Sequence, residues 1–353
     1  MRRSTKKVTK IFVLITIFSI AWCNFLFAEG SVDAFMDISP SYTFTVDKLP
    51  PITDAFSYGD SKFYVYSEPN NILVESYIEI YSVIQPDRFA PHNIIHIFPK
   101  KEYQDYEISN LIFVVVRETD VSSEERSVIQ SNGISNFIVG YSENINKVVV
   151  LSLDGDLVNT IDVEINSKND LLLSTSYGFS EGVFWLLDKK NNKIQLMNIS
   201  GEIVLSFSAT KGSNIEGIDS TQFEEVITSE RGDLYIRDSS NRIYQYNQIT
   251  GSFLKSIFLE ELKDDKIYGF AIDSLENIFI SYHSVSDNKL KIAVIVQNEE
   301  GKYSTKVINE QPFVEEPIKL LAYRGFLILV TKENYQIYET LPIIEKLQNI
   351  KDD

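Results

Sequence analysis

The chain has 353 residues, 33 basic and 50 acidic, and a formal net charge of −17. Its single cysteine, Cys23, excludes a disulfide and a cysteine-based zinc site. The negative field repels phosphate backbones and anionic headgroups, which excludes nucleic acid as a partner and membrane binding through a basic patch.

The first element is a targeting segment over 1–28. Arg2, Arg3, Lys6, Lys7 and Lys10 form a positive n-region, Ile11 to Phe27 is apolar, and Leu26 and Ala28 suit the −3 and −1 positions of a signal peptidase site. This predicts export to the periplasm or cell envelope. A rival reading makes Cys23 a lipidated first residue, since Ile20 and Ala21 suit the outer lipobox positions, although Trp22 stands where a small residue is expected. A third is an uncleaved anchor, against which the stretch is short for a span and interrupted by Ser19 and Asn24. Without 1–28 the chain carries 28 basic and 50 acidic residues, a net of −22. That charge serves solubility, and leaves cationic and neutral ligands open. Residues 29–40 read as a short linker.

From residue 41 onward the chain is rich in short β-type runs, with 19 Tyr and 22 Phe. Tyr42 to Val46 is an orphan strand. Next come a strand carrying Phe63 and the rung Asn71-Ile72. The step from Asn71 to Asn146 is 75 residues, which places an irregular insertion within 83–135, with Val121 to Arg126 as an exposed loop. A ladder follows: Asn146-Lys147-Val148, Asn192-Lys193-Ile194, Asn241-Arg242-Ile243 and Asn288-Lys289-Leu290, at steps of 46, 49 and 47. One further step lands on Asn334-Tyr335. A strand with an aromatic precedes each rung, at Phe63, Phe137, Phe184, Tyr235, Phe279 and Phe326. After each of the four triplets, Gly155, Gly201, Gly251 or Gly301 marks a turn, and Asp154-Gly155 is a strong type I′ hairpin signal. The cleanest unit has an inner strand at Val226 to Thr228. Further strands run from Asp233 to Asp238, Arg242 to Tyr246 and Phe253 to Phe258. In Arg242 to Tyr246 the period-two alternation predicts one face packed on a neighbouring sheet.

A β-rich repeat of this length predicts an all-β, six-bladed β-propeller of four-stranded antiparallel blades over 41–342. The last unit lacks a fourth strand, so Tyr42 to Val46 is expected to close the ring. Residues 343–353 read as a tail or short helix.

The unit Gly232-Asp233-Leu234-Tyr235-Ile236-Arg237-Asp238 with Asn241-Arg242-Ile243 resembles the NHL-repeat class of β-propeller, as does Gly269 to Ile280 for the first half of that repeat. The resemblance covers about 135 to 310 and implies fold far more than activity.

Candidate chemistry is sparse. The ladder asparagines suit left-handed turns and bonds to their own backbone, and Arg242 is expected to pair with Asp238. His92 and His96 share a face but lack the glutamate of HExxH and a third ligand; His283 stands apart. Gly178-Phe179-Ser180-Glu181-Gly182 matches G-x-S-x-G, but a strand follows where a nucleophile elbow needs a helix. No calcium loop occurs, though six-bladed propeller hydrolases assemble such sites from several inner strands. Glu224, Glu225, Asp273 and Tyr323 are the inner-strand polar candidates, with Glu224-Glu225 also fitting a solvated rim. The acidic run Glu260 to Asp265 fits a solvated loop or a face for a cationic partner. No catalytic, cofactor or metal residue is assigned, and the chain is taken as a monomer.

These observations predict an exported, non-enzymatic binding or scaffolding module whose protein, peptide or glycan ligand docks on one face. The alternative is a calcium-dependent propeller hydrolase or lactonase with its metal in the central channel.

Overall fold

The computed structural model describes residues 38–45, 51–58, 62–67, 72–77, 94–116, 136–176, 182–208, 223–229, 231–298, 300–323, 325–340 and 342–345. The leader reading of 1–28, the Cys23 alternative, the loop at Val121 to Arg126, His92 and Ser180 all lie outside these residues.

After strand β1 (Tyr42–Thr45), four-stranded antiparallel sheets follow in chain order. The first holds β2 (Asp54–Tyr58), β3 (Lys62–Ser67), β4 (Ile72–Tyr77) and β5 (Ile94–Ile97). The second holds β6 (Ile108–Val115), β7 (Asn136–Ser142), β8 (Lys147–Ser152) and β9 (Leu157–Asp162). The third is β10 (Leu171–Thr175), β11 (Val183–Asp188), β12 (Lys193–Asn198) and β13 (Ile203–Ser208). The fourth is β14 (Phe223–Thr228), β15 (Leu234–Asp238), β16 (Arg242–Tyr246) and β17 (Phe253–Phe258). The fifth is β18 (Lys266–Ile272), β19 (Ile278–Ser284), β20 (Lys289–Gln297) and β21 (Tyr303–Pro312). Last come β22 (Lys319–Tyr323), β23 (Phe326–Val330) and β24 (Asn334–Glu339), whose sheet has the order β1-β24-β23-β22.

The expectation of a six-bladed propeller needs correction. Five blades are built from four consecutive strands. The remaining four-stranded sheet is a composite of the two chain ends, with Tyr42 opposite Ile337 and Thr45 opposite Asn334. The physical reason is that among the described residues the last repeat has three strands, and β1 covers the edge of β24. The strap before β1 is held as well, by Ile38 N donating to Ile308 O (2.8 Å) and Asn309 Nδ2 donating to Ile38 O (3.0 Å).

The first strands of the sheets, β2, β6, β10, β14, β18 and β22, are neighbours around a central channel. Each hydrophobic cluster is shared by two adjacent sheets; Phe184 and Leu186 pack with Val148 and Val150, for example. Middle strands are therefore buried on both faces, beyond the one-faced packing expected from alternation. Ile243, Tyr244 and Tyr246 are fully buried, and Gln245 is 8 % exposed. The extra residues of the long first step fall in two places, between β4 and β5 and between β6 and β7.

The ladder asparagines occupy the turns between second and third strands. Asn146, Asn192, Asn241 and Asn288 have φ of 54°, 50°, 60° and 54°, a left-handed geometry that Asn tolerates better than most residues. The side-chain amides of Asn241 and Asn146 reach beyond their own turns. Asn241 Nδ2 donates to Leu262 O (2.9 Å) and Asp265 O (2.8 Å), and Asn146 Nδ2 donates to Asn166 Oδ1 (3.0 Å). All three bonds tie a turn to the link leading into the next blade. Asn334 does not share the left-handed backbone and opens β24 directly.

The glycine turns are not type I′, which needs positive φ at both central residues. At Asp154-Gly155 only Gly155 is left-handed (φ 83°), with Gly155 N donating to Ser152 O and Ser152 N to Asp156 O. This is the three-residue hairpin with a bulge, and it recurs at Gly201, Gly232 and Gly301.

Candidate functional site at the channel mouth

The inner strands begin at one face, where the channel opens into a cavity of ≈ 450 Å³. Each inner strand or its approach contributes to the wall, for instance Asp54, Asn110, Leu172, Glu225, Tyr268 and Lys319. In three of them the register breaks at the mouth: between Ser109 and Ile112 on β6, Phe223 and Glu225 on β14, and Ile267 and Gly269 on β18. The unpaired residues Asn110, Glu224 and Tyr268 all line the cavity. A bulge re-aims a side chain at the cost of ladder bonds. Among the described residues the other register shifts lie between third and fourth strands, so the inner-strand ones all open on the mouth.

Polar groups at the mouth stitch neighbouring blades together. Asp54 Oδ2 accepts from Leu111 N (2.8 Å), and Lys319 Nζ lies 3.2 Å from Asp54 Oδ1. Asn110 Nδ2 donates to Lys168 O (3.1 Å) and Leu171 O (3.0 Å). Glu225 Oε2 accepts from Phe270 N (3.2 Å). Beneath them Arg237, 4 % exposed, donates through Nη1 to Glu224 Oε2 (2.9 Å) and through Nε to Glu225 Oε2 (3.4 Å). Burial raises the Glu225 carboxyl above the usual carboxylate range, against the pull of Arg237 and Lys319. Burial likewise lowers the Lys189 ammonium, against the attraction of Glu224 and Asp170. Lys319, paired with Asp54, and Lys189 add positive charge near the two carboxylates.

Further along, the channel narrows to ≈ 120 Å³ between aliphatic side chains such as Ile227 and Leu321 and the hydroxyl residues Ser57, Ser174, Thr175 and Thr228. Thr175 Oγ1 donates to Phe113 O (2.9 Å), another tie between blades.

The sequence candidates divide. Glu224 and Glu225 reach the mouth, but Glu225 is held on a buried arginine and does not sit on a solvated rim. Asp273 leaves the channel: its Oδ1 accepts from Leu275 N and Asn277 N, capping the turn between β18 and β19. His283 stacks on Phe313 (4.0 Å between centroids), and its Nε2 lies 2.9 Å from Asn288 Oδ1, an acceptor. The expected Arg242–Asp238 ion pair is replaced. Asp238 Oδ1 accepts from Arg242 N, its Oδ2 from Tyr244 Oη, and the Arg242 guanidinium lies over the Phe258 ring. The side chains of His96 and Tyr323 lie outside the described residues. Among the described residues no three His, Cys, Asp or Glu converge as a metal cage.

Sequence reasoning missed Asp54, Asn110, Arg237, Tyr268 and Lys319. The one signal available was a polar residue at the start of an otherwise apolar inner strand.

No family model matches the chain, and no curated protein matches it. Among solved structures it is similar to a catalytically inactive virginiamycin B lyase from Staphylococcus aureus with quinupristin. Identity is 12%, the TM-score 0.48, and coverage 82% of this chain and 81% of that one. It is also similar to a streptogramin B lyase (12%, TM-score 0.47, 84% and 97% covered). A third is the WD40 β-propeller domain of Doa1 (12%, TM-score 0.46, 85% and 96% covered). Each is a likeness of fold. Among the described residues that line the mouth there is no imidazole or thiol.

Proposed function

We propose that the chain is an exported, non-enzymatic β-propeller that acts as a binding module in the cell envelope. Its protein, peptide or glycan ligand docks on the face where the channel mouth opens. The observation that carries this reading is the coincidence of three inner-strand bulges, at Asn110, Glu224 and Tyr268, around one cavity. Inner-strand bulges that share one opening turn their side chains toward a common space, which suits a docking site. The signal segment 1–28 and kinship with NHL-repeat propellers belong to the same proposal and rest on the residues quoted for them. The net charge of −17 supports a cationic or neutral ligand over a polyanion.

Photo-crosslinking in envelope extract tests the reading. A crosslinker replacing Thr53 or Lys168 at the mouth is expected to capture a ligand. One replacing Leu275, in the exposed turn between β18 and β19 at the far end of the blade, is expected to capture none. Adducts from Leu275 alone, or hydrolytic turnover lost with Glu225→Gln, overturn it.

A further inference from the structure

The rim between the fifth blade and the composite sheet has a surface that closure of the ring does not require. Val314 is 87 % exposed and Val285 60 % exposed, on the links entering β22 and β20. Between them stands a column of rings. His283 stacks on Phe313 at 4.0 Å, Phe313 on Tyr268 at 5.9 Å, and Lys266 Nζ lies 4.5 Å from the Tyr268 centroid. The parts are tied together: Phe313 N donates to Asn288 O, Val285 N to Asp265 Oδ1 (2.9 Å), and Tyr268 Oη to Glu316 Oε1 (3.0 Å). The apolar patch is therefore held in place before anything meets it, which lowers the ordering cost of binding.

Its surroundings are acidic. Asp264, Asp265, Asp287, Glu315 and Glu316 flank the valines and rings. Lys266 pairs with Glu316, a largely buried Lys291 with Asp287 and Lys289 with Glu310, and Lys332 also acts on Glu316. This leaves Asp264, Asp265 and Glu315 without an ion pair among the described residues. Hydrogen bonds from Lys291 and Lys266 hold the Asp287 and Glu316 carboxyls below their ordinary ranges, so both are charged at neutral pH. A second copy of this chain would bring the same negative field, and an anionic membrane would be repelled likewise.

We infer that this rim docks an extended, basic segment of a partner protein, whose apolar side chains cover Val285, Val314 and the Tyr268–Phe313–His283 column while its lysines or arginines meet the surrounding carboxylates. The inference rests on the proposed docking face and names a place and a partner chemistry on it.

The test uses the chain without 1–28 and three labelled synthetic peptides, alternating lysine with leucine, glutamate with leucine, and lysine with serine, titrated by fluorescence anisotropy. The lysine–leucine peptide is expected to bind, and to weaken as salt is raised. Its affinity should fall about tenfold or more with Val285→Ser plus Val314→Ser, and also with Asp264→Asn plus Glu315→Gln. Ile203→Ser plus Val204→Ser, on the exposed outer strand β13, should leave it unchanged; Glu224→Gln, at the mouth, is measured beside them. All these sites are at least partly exposed, and circular dichroism confirms that each variant folds. No binding by the lysine–leucine peptide, or equal binding by either other peptide, overturns the inference. Binding lost with Glu224→Gln but not with the valine pair overturns the rim while leaving the docking face intact. Binding indifferent to all of these except the β13 pair overturns both.

Discussion

Asn241 shows what a single ladder residue does. Its backbone is left-handed, it is 7 % exposed, and its amide bridges two carbonyls of the next link. Replacing it with glycine keeps the backbone but removes both bonds, each worth about 1 kcal/mol. Asn241→Gly should therefore lose about 2 kcal/mol in chemical denaturation. Asn192→Gly should lose less than about 1 kcal/mol, because the Asn192 Oδ1 has no partner among the described residues. Glu225 carries a pH signature. Its folded pKa is raised, so ionisation penalises the fold; the penalty is absent below the unfolded pKa and grows as pH rises through the window up to the folded value. Glu225→Gln cannot ionise, so its stability relative to the parent should increase across that window in melts taken at stepped pH. A flat difference would show that Arg237 and Lys319 fully offset the burial. Of this site, only the Glu224-Glu225 pair was legible in the sequence. Asp54 and Lys319 lie at opposite ends of the chain, and Arg237 reaches the mouth from a second strand, so no spacing rule could join them.

At the scale of the element, the repeat was readable because local chemistry repeats. A left-handed asparagine ends one turn and a left-handed glycine the next, and both positions are set by sterics of the backbone. The strands of the fourth blade follow directly, from β14 to β17. Bulges were not legible, since Asn110, Glu224 and Tyr268 interrupt strands whose apolar pattern continues on either side. The turn type was also misjudged, because Asp-Gly permits both a two-residue hairpin and the bulged form that the strand twist selects here. Glycine turns differ in what surrounds them. A Cβ on Gly251 (φ 66°) would stand 2.6 Å from Phe207 Cδ1 of the preceding blade, whereas on Gly301 (φ 81°) the nearest atom is Gln297 Nε2 at 3.7 Å. Gly251→Ala should thus cost about 2–3 kcal/mol, strain plus overpacking, against about 1 kcal/mol for Gly301→Ala. Equal losses in urea denaturation would mean that the blade interface yields.

For the molecule as a whole, the composite sheet decides stability. Removing residues 38–45 strips β1 from β24, exposes a strand edge and cuts the strap to Ile308 and Asn309. The truncated chain should melt about 10 °C lower or more and should self-associate in size-exclusion chromatography. An unchanged melting temperature would show that inter-blade packing alone holds the ring. The same pairing has a temporal meaning. Because residue 45 lies opposite residue 334, β1 has no partner until β24 is complete. Folding of this kind is governed by its most distant contact and is slow to finish. Five blades can form in succession as the polypeptide emerges, but the final lock waits until β24 has been made.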